Sequence, residues 1–139
     1  MPFTNYLDQR ITQLLFSNTA YTIPATWYIA LSTTTPAQGA APNFTEPSGN
    51  GYARVAVTNN TSNWAAVASP PANGYTVQNN TIITFPTATG SWGTVTYFGV
   101  YDALTGGNLV GFGLLTSAQT ITTGIAASFA VAQLTVTNN

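Results

Sequence analysis

Residues 92–115 read Trp92-Gly93-Thr94-Val95-Thr96-Tyr97-Phe98-Gly99-Val100-Tyr101-Asp102-Ala103-Leu104-Thr105-Gly106-Gly107-Asn108-Leu109-Val110-Gly111-Phe112-Gly113-Leu114-Leu115. Two alternating runs, 94–101 and 108–115, flank a six-residue segment, 102–107, in which Gly106 and Gly107 can take the positive φ of a hairpin turn. Strict alternation puts Val95, Tyr97, Gly99 and Tyr101 on one face of the first strand and Thr96, Phe98 and Val100 on the other. Both faces carry large groups, so the strand is either central between layers or turned on one side toward another subunit. Gly111 and Gly113 leave one face of the second strand bare, and aromatic rings of the paired strand are the expected cover.

Working outward, the same period of two recurs. Trp27, Ile29 and Leu31 share a face of a strand bounded by Pro24 and Thr33-Thr34-Thr35-Pro36. Further strands are predicted at 53–58, 63–68, 74–78, 80–85, 119–122 and 128–137. Pro70-Pro71-Ala72-Asn73-Gly74 and Phe85-Pro86-Thr87 mark turns, and residues 36–51, rich in Pro, Gly, Ala, Ser and Asn, read as a long functional surface loop. Only the start has a helical period: Leu7, Ile11, Leu14 and Leu15 predict a helix over 5–16. Asn5 and Asp8 supply its cap signal and Ser17-Asn18 its exit. Its short, non-basic apolar face is expected to cover the core or an open end of a sheet rather than a membrane. Many short punctuated strands predict a mainly β fold, an antiparallel, jelly-roll-like β-sandwich with one short N-terminal α-helix. With 139 residues, 45% of them hydrophobic, and no internal repeat, a single domain spanning 1–139 is expected.

Composition then removes function classes. Only Asp8, Arg10, Glu46, Arg54 and Asp102 carry full charge. Two arginines and no lysine do not neutralise a run of phosphates or anchor to an anionic bilayer, and no apolar run nears the roughly 20 residues that span one. Neither nucleic acid nor membrane is an expected partner. Without His, Cys or Lys there is no Ser-His-Asp or Cys-His nucleophile, Schiff base or His/Cys metal site. The three acids lie on a helix, a loop and a turn, which supports neither a glycosidase pair nor a calcium site. Gly49-Asn50-Gly51 and Gly90-Ser91-Trp92-Gly93 lack the context of a phosphate loop and read as turns. The expectation is a non-enzyme with no cofactor and no metal. Trp27, Trp64 and Trp92, with seven Tyr and seven Phe, serve either core and interface packing, the favoured reading, or stacking on a sugar. In so uncharged a chain Arg54 and Asp102 each need a partner, one another or a residue across an interface.

Several segments carry a resemblance: Asn5-Tyr6-Leu7, Tyr28-Ile29-Ala30-Leu31, Gly51-Tyr52-Ala53-Arg54-Val55, Ile83-Thr84-Phe85-Pro86, Trp92 to Asp102 and Gly106-Gly107-Asn108-Leu109. Together, nearly end to end, they resemble small virion proteins of tailed phages, often labelled tail-fibre proteins. The chain is also similar in size and strand content to the cement proteins that decorate phage heads. The resemblance implies a virion structural protein without catalytic residues. The N-terminus lacks a signal pattern, so synthesis in the bacterial host cytoplasm is expected.

The leading expectation is a capsid cement protein on the head surface, a homodimer or homotrimer that binds across major capsid protein subunits by apolar burial and repetition. Its contact surfaces are expected along the Trp92–Tyr101 strand, the 36–51 loop and the two termini. The residues are Trp92, Tyr97, Phe98, Tyr101, Arg54, Asp102 and Phe44. The alternative is a tail-fibre or tail-tip subunit that touches host glycans, and a third reading is a cytoplasmic sugar-binding module.

Overall fold

A computed structural model of the chain describes residues 3–66 and 76–137. Helix α1 (Asn5–Phe16) is followed by β1 (Thr26–Ser32), β2 (Val55–Thr58), β3 (Trp64–Ala66), β4 (Thr76–Asn79), β5 (Ile83–Thr84), β6 (Gly93–Tyr101), β7 (Leu109–Ile121), β8 (Ser128–Phe129) and β9 (Thr135–Thr137). The protein is mainly β, its strands pair antiparallel, and its one helix stands at the N-terminus. A four-stranded sheet in the order β2-β1-β6-β7 forms one layer, and the second is divided into a three-stranded piece, β3-β4-β9, and a two-stranded piece, β5-β8. Ile29, Leu31, Val57, Phe98 and Val100 from the large sheet meet Ile83, Phe85, Phe129 and Leu134 in one shared core. The predicted turn at Pro70–Gly74 lies outside the described residues, as do parts of the strands predicted at 63–68 and 74–78.

The 92–115 hairpin forms in the expected place, β6 against β7. Strict alternation fails at two points, one of them between Val100, opposite Gly111, and Tyr101, opposite Leu109. The register slips between Val95 and Tyr97, where β7 carries extra residues between Leu114, opposite Tyr97, and Gln119, opposite Val95. A bulge changes the count along a strand and turns the following side chains over. Val95 therefore shares the main core with Phe98 and Val100, while Tyr97 and Tyr101 lie on the opposite face. The same slip joins the segments predicted at 108–115 and 119–122 into one strand. In contrast, the segment predicted at 128–137 is two short strands, separated by a turn in which Ala132 has a φ of 67°. The bare face of β7 is covered as expected in part: Phe98 and Val100 stand opposite Gly113 and Gly111. Phe3 also bridges to Gly111 from outside the hairpin.

Helix α1 matches its predicted span, but its cap differs. Thr4, not Asn5, is the N-cap, and its hydroxyl is turned inward to donate to the Leu109 carbonyl. Its amide donates to Val110, so the helix start is stitched to the edge of β7. The apolar face is only half used: Leu7 and Ile11 are half-buried, while Leu14 and Leu15 are exposed.

A candidate functional site on the second face of the large sheet

The face of the large sheet away from the main core is also apolar. Ala30, Tyr101, Leu109 and Phe112 form a second buried cluster, joined by the half-buried Tyr28, Phe44 and Tyr97. The segment 36–51, read from sequence as a loop reaching outward, folds back over this face. Its amides and side chains hold it there: Thr33 N–H donates to the Thr45 carbonyl, and Thr45 N–H donates to the Ser32 hydroxyl at 3.1 Å. The tip of the Phe44 ring then sits against Gly99, and the ring meets Tyr101 edge to face, with centroids 5.5 Å apart. Gly99 is required here because a Cβ would stand 2.5 Å from the Phe44 ring and 2.8 Å from Leu109.

One charged knot ties this cover down. Arg54 meets Glu46 as a two-pronged pair, Nε to Oε1 at 2.9 Å and Nη2 to Oε2 at 2.7 Å. Its Nη1 donates to the Ala103 and Gly106 carbonyls in the β6–β7 turn, at 2.7 and 2.8 Å. The guanidinium also lies 3.6 Å above the Tyr101 ring. Such a planar fork suits arginine and not lysine. Tyr52 completes the knot: its hydroxyl donates to Glu46 at 2.7 Å and accepts from the Leu31 amide at 3.1 Å. Asp102 is not the partner of Arg54. It accepts from the backbone and side-chain nitrogens of Asn108 and closes the hairpin turn. A Cβ on Gly107 would come 2.5 Å from Asp102, so glycine is needed there for space as well as for its φ of +73°.

Burial resists the charge on Arg54, but the hydrogen bond and attraction from Glu46 override it and raise its pKa. The Tyr52 hydroxyl is pushed well above its usual value, first by burial and then by the adjacent Glu46 carboxylate. Tyr101 is raised by burial and by the same carboxylate, and Tyr21 chiefly by burial. A raised tyrosine pKa means that the folded state favours the neutral phenol. The stability this contributes is complete below about pH 10, the unfolded value, and declines as pH climbs through the folded values. Alkaline titration followed by phenolate absorbance is thus expected to show a late, unfolding-linked fraction of tyrosines, reduced by Tyr52→Phe.

The seven residues expected at an interface are placed as follows. Trp92 and Phe98 belong to the main core, with Trp92 Nε1 donating to the Asn50 carbonyl at 2.9 Å. Tyr101, Phe44 and Arg54 are brought together in the knot and its cover. Tyr97 stacks edge-on against Phe112 nearby, and Asp102 serves the turn. Glu46 and Tyr52, central to the knot, escaped the sequence reading. The one signal for them was that a charge-poor chain has to match its buried arginine with a nearby acid.

Beside the knot lies a groove of about 450 Å³, bounded by the first turns of α1, the 39–42 segment and the end of the hairpin. Tyr6, Gln9 and Asn5 face Tyr101, Asn108 and Leu109 across it, and none of its lining side chains is charged. Gln38 fixes its outer wall by donating to the Phe3 carbonyl, while the Asn5 amide donates to Gln38. Among the described residues no group of three metal-ligating side chains occurs.

A β layer whose one ion pair among the described residues holds its own cover, beside a groove lined by amides and phenol rings, has the make-up of a structural protein. Residues 2–137 match the family model described as podophage GP4 fiber I protein gp80, and the chain belongs to that family. No curated protein matched the chain. Membership makes it a non-enzymatic structural component of a phage virion fibre. The capsid cement reading is overturned by the same finding, and with it the head-surface location and the junctions between capsid subunits. The likeness to cement proteins lay in size and strand content, which many β-sandwich proteins share irrespective of task.

Proposed function

We propose that this chain is a tail-fibre subunit, acting within a homo-oligomer, that contacts a neutral saccharide of the host surface in the groove between Tyr6 and Tyr101. The lining carries the reading. Tyrosine rings offer flat apolar faces to the C–H faces of a sugar, and Asn5, Gln9 and Asn108 offer amides that both donate and accept. An uncharged lining suits an uncharged glycan. The groove's volume falls in the range of small-ligand sites, roughly 300–1,000 Å³. Neither nucleic acid nor membrane enters this reading; no helix among the described residues is long and apolar enough to cross a bilayer.

The test is a screen of immobilised neutral oligosaccharides at low and high salt. Binding is expected to be saturable and to change little with salt, because no ion pair contributes. Tyr6→Ala and Gln9→Ala are each expected to weaken it about tenfold or more, the loss of one stacking or hydrogen-bonding group; Gln9→Ala is expected to leave the melting temperature near that of wild type, whereas Tyr6→Ala also lowers it, because the ring packs against the main core and beneath Arg10. Binding that survives both substitutions, or that needs low salt, would place the contact elsewhere.

A further inference from the structure

Asn50-Gly51 is the only Asn-Gly pair among the described residues, and both members are exposed. Tyr52 N–H donates to the Gly49 carbonyl at 3.0 Å, with Asn50 at a φ of 52° and Gly51 at 81°. Two central residues at positive φ make a type I′ turn, for which Asn-Gly is a favoured pair. The Gly51 amide has no hydrogen-bond acceptor among the described residues, and the residue carries no Cβ to shield its nitrogen. Asn50, in contrast, is clamped to the 89–92 segment. Its Nδ2 donates to the Ser91 carbonyl at 3.0 Å, and its own carbonyl accepts from the Thr89 amide and from Trp92 Nε1, both at 2.9 Å. Gly90 makes the seat possible, because a Cβ there would stand 2.6 Å from Asn50 Cγ.

We propose that Asn50 is a latent modification site, converted through a cyclic imide to isoaspartate at a rate set by its clamp to residues 89–92. In the first step the Gly51 nitrogen gives up its proton and bonds to Asn50 Cγ. The Cγ–Nδ2 bond breaks, and ammonia leaves with, in net, the proton that Gly51 lost. Water then adds to one of the two imide carbonyls. Opening at the backbone carbonyl routes the chain through Cβ as isoaspartate, and opening at the side-chain carbonyl leaves ordinary aspartate. Water is the only co-reactant. Attack requires the Asn50 amide to leave Ser91 and turn toward the Gly51 nitrogen, so the folded site is slow and reacts during local opening. Isoaspartate lengthens the backbone by one carbon and displaces the carbonyl that holds the Thr89 amide and the Trp92 indole. Trp92 is 4% exposed and part of the main core, so a surface event is passed inward. The product also adds a carboxylate to a chain with only five charged side chains.

The site stands apart from the glycan reading, since the groove includes neither 49–52 nor 89–92. For the test, full-length protein is aged in mildly alkaline buffer with and without urea, then cleaved after Arg10 and Arg54. Asn50 then lies on fragment 11–54, and the other Asn-Gly pair, Asn73-Gly74, on 55–139. Mass spectrometry with sequencing of the fragments locates each lost amide and tells isoaspartate from aspartate. Asn50 is expected to convert in the folded wild type more slowly than in urea. In folded Gly90→Ala it is expected to convert about tenfold faster than in wild type, the gain from losing one hydrogen bond of the clamp. Trp92→Phe, which removes the indole donor alone, repeats the comparison if Gly90→Ala does not fold. Tryptophan emission reads the consequence: it is expected to shift as wild type ages, whereas Asn50→Asp, with the charge but an ordinary backbone, keeps the fresh wild-type spectrum. The proposal is overturned if Asn50 converts equally fast with and without urea, or if neither Gly90→Ala nor Trp92→Phe quickens it. It is also overturned if Asn50 stays an amide in folded Gly90→Ala while the chain in urea converts, or if converted protein keeps its emission unchanged.

Discussion

Glu46→Ala is expected to lower the stability of the folded protein by up to about 3 kcal/mol, below the roughly 3–5 kcal/mol for removing one partner from a fully buried ion pair, because this pair is only partly buried. The magnitude follows from what remains behind. Arg54 has a side chain only 7% exposed, and without Glu46 its guanidinium keeps the two turn carbonyls and the Tyr101 ring but loses its only counter-charge among the described residues. The Tyr52 hydroxyl loses its acceptor at the same stroke. Glu46→Gln retains the shape and one acceptor oxygen, so a smaller loss is expected. Replacing both partners with apolar residues, Arg54→Met with Glu46→Leu, should cost less than the sum of the single changes, since no unpaired charge is then buried. Denaturant unfolding of the four proteins measures this; strict additivity would show that the pair does not act as a unit. Arg54→Lys is expected to behave more like a loss than a conservative change, because one ammonium does not span Glu46, the turn and the aromatic face together.

Gly99→Val is expected to destabilise by about 1–3 kcal/mol or more, the range for forcing extra carbon into a filled site. Even a single Cβ there would overlap the Phe44 ring at 2.5 and 2.7 Å and Leu109 at 2.8 Å. The ring can leave only by lifting the 36–51 segment, which is also held by Thr45, Glu46 and Asn43. Phe44→Ala alone removes the ring and is expected to cost up to about 3 kcal/mol, less than a fully buried phenylalanine because Phe44 is half-buried. Gly99→Ala combined with Phe44→Ala should be less damaging than the two changes added together, as the cavity of one receives the methyl of the other. Independent effects would show that Phe44 is not seated on Gly99. Proteolysis within 36–51 offers a second readout: cleavage should quicken in Gly99→Val and Glu46→Ala alike, since each releases the same cover.

These results bear on how the groove is built. Its 39–42 wall is continuous with the segment that Phe44 and Glu46 fasten, so loosening the knot is expected to impair saccharide binding without any change to a lining residue.

Much of the fold was legible because it is written in local periods. The two-residue alternation around 94–101 and 108–115, the glycine pair at 106–107 and the helical spacing of Leu7, Ile11, Leu14 and Leu15 each act over a few residues, and each yields the element expected. The absence of His, Cys and Lys likewise spoke directly against most chemistry, and the segments resembling phage proteins pointed to a virion protein before any geometry was known. The choice of head over tail was wrong because size and strand content are properties of an architecture and not of a task.

Sequence by itself determined the mainly β class, the N-terminal helix, the central hairpin and a chain with only five charged side chains. Only the tertiary structure decided that Val95 turns into the main core across a bulge, that Arg54 chooses Glu46 over Asp102, and that 36–51 folds inward over Gly99. The reason is distance along the chain. A period or a turn is set by neighbouring residues, but Arg54 reaches Gly106 across 52 positions, and which acid, ring or glycine waits at such a meeting depends on how whole sheets register and pack.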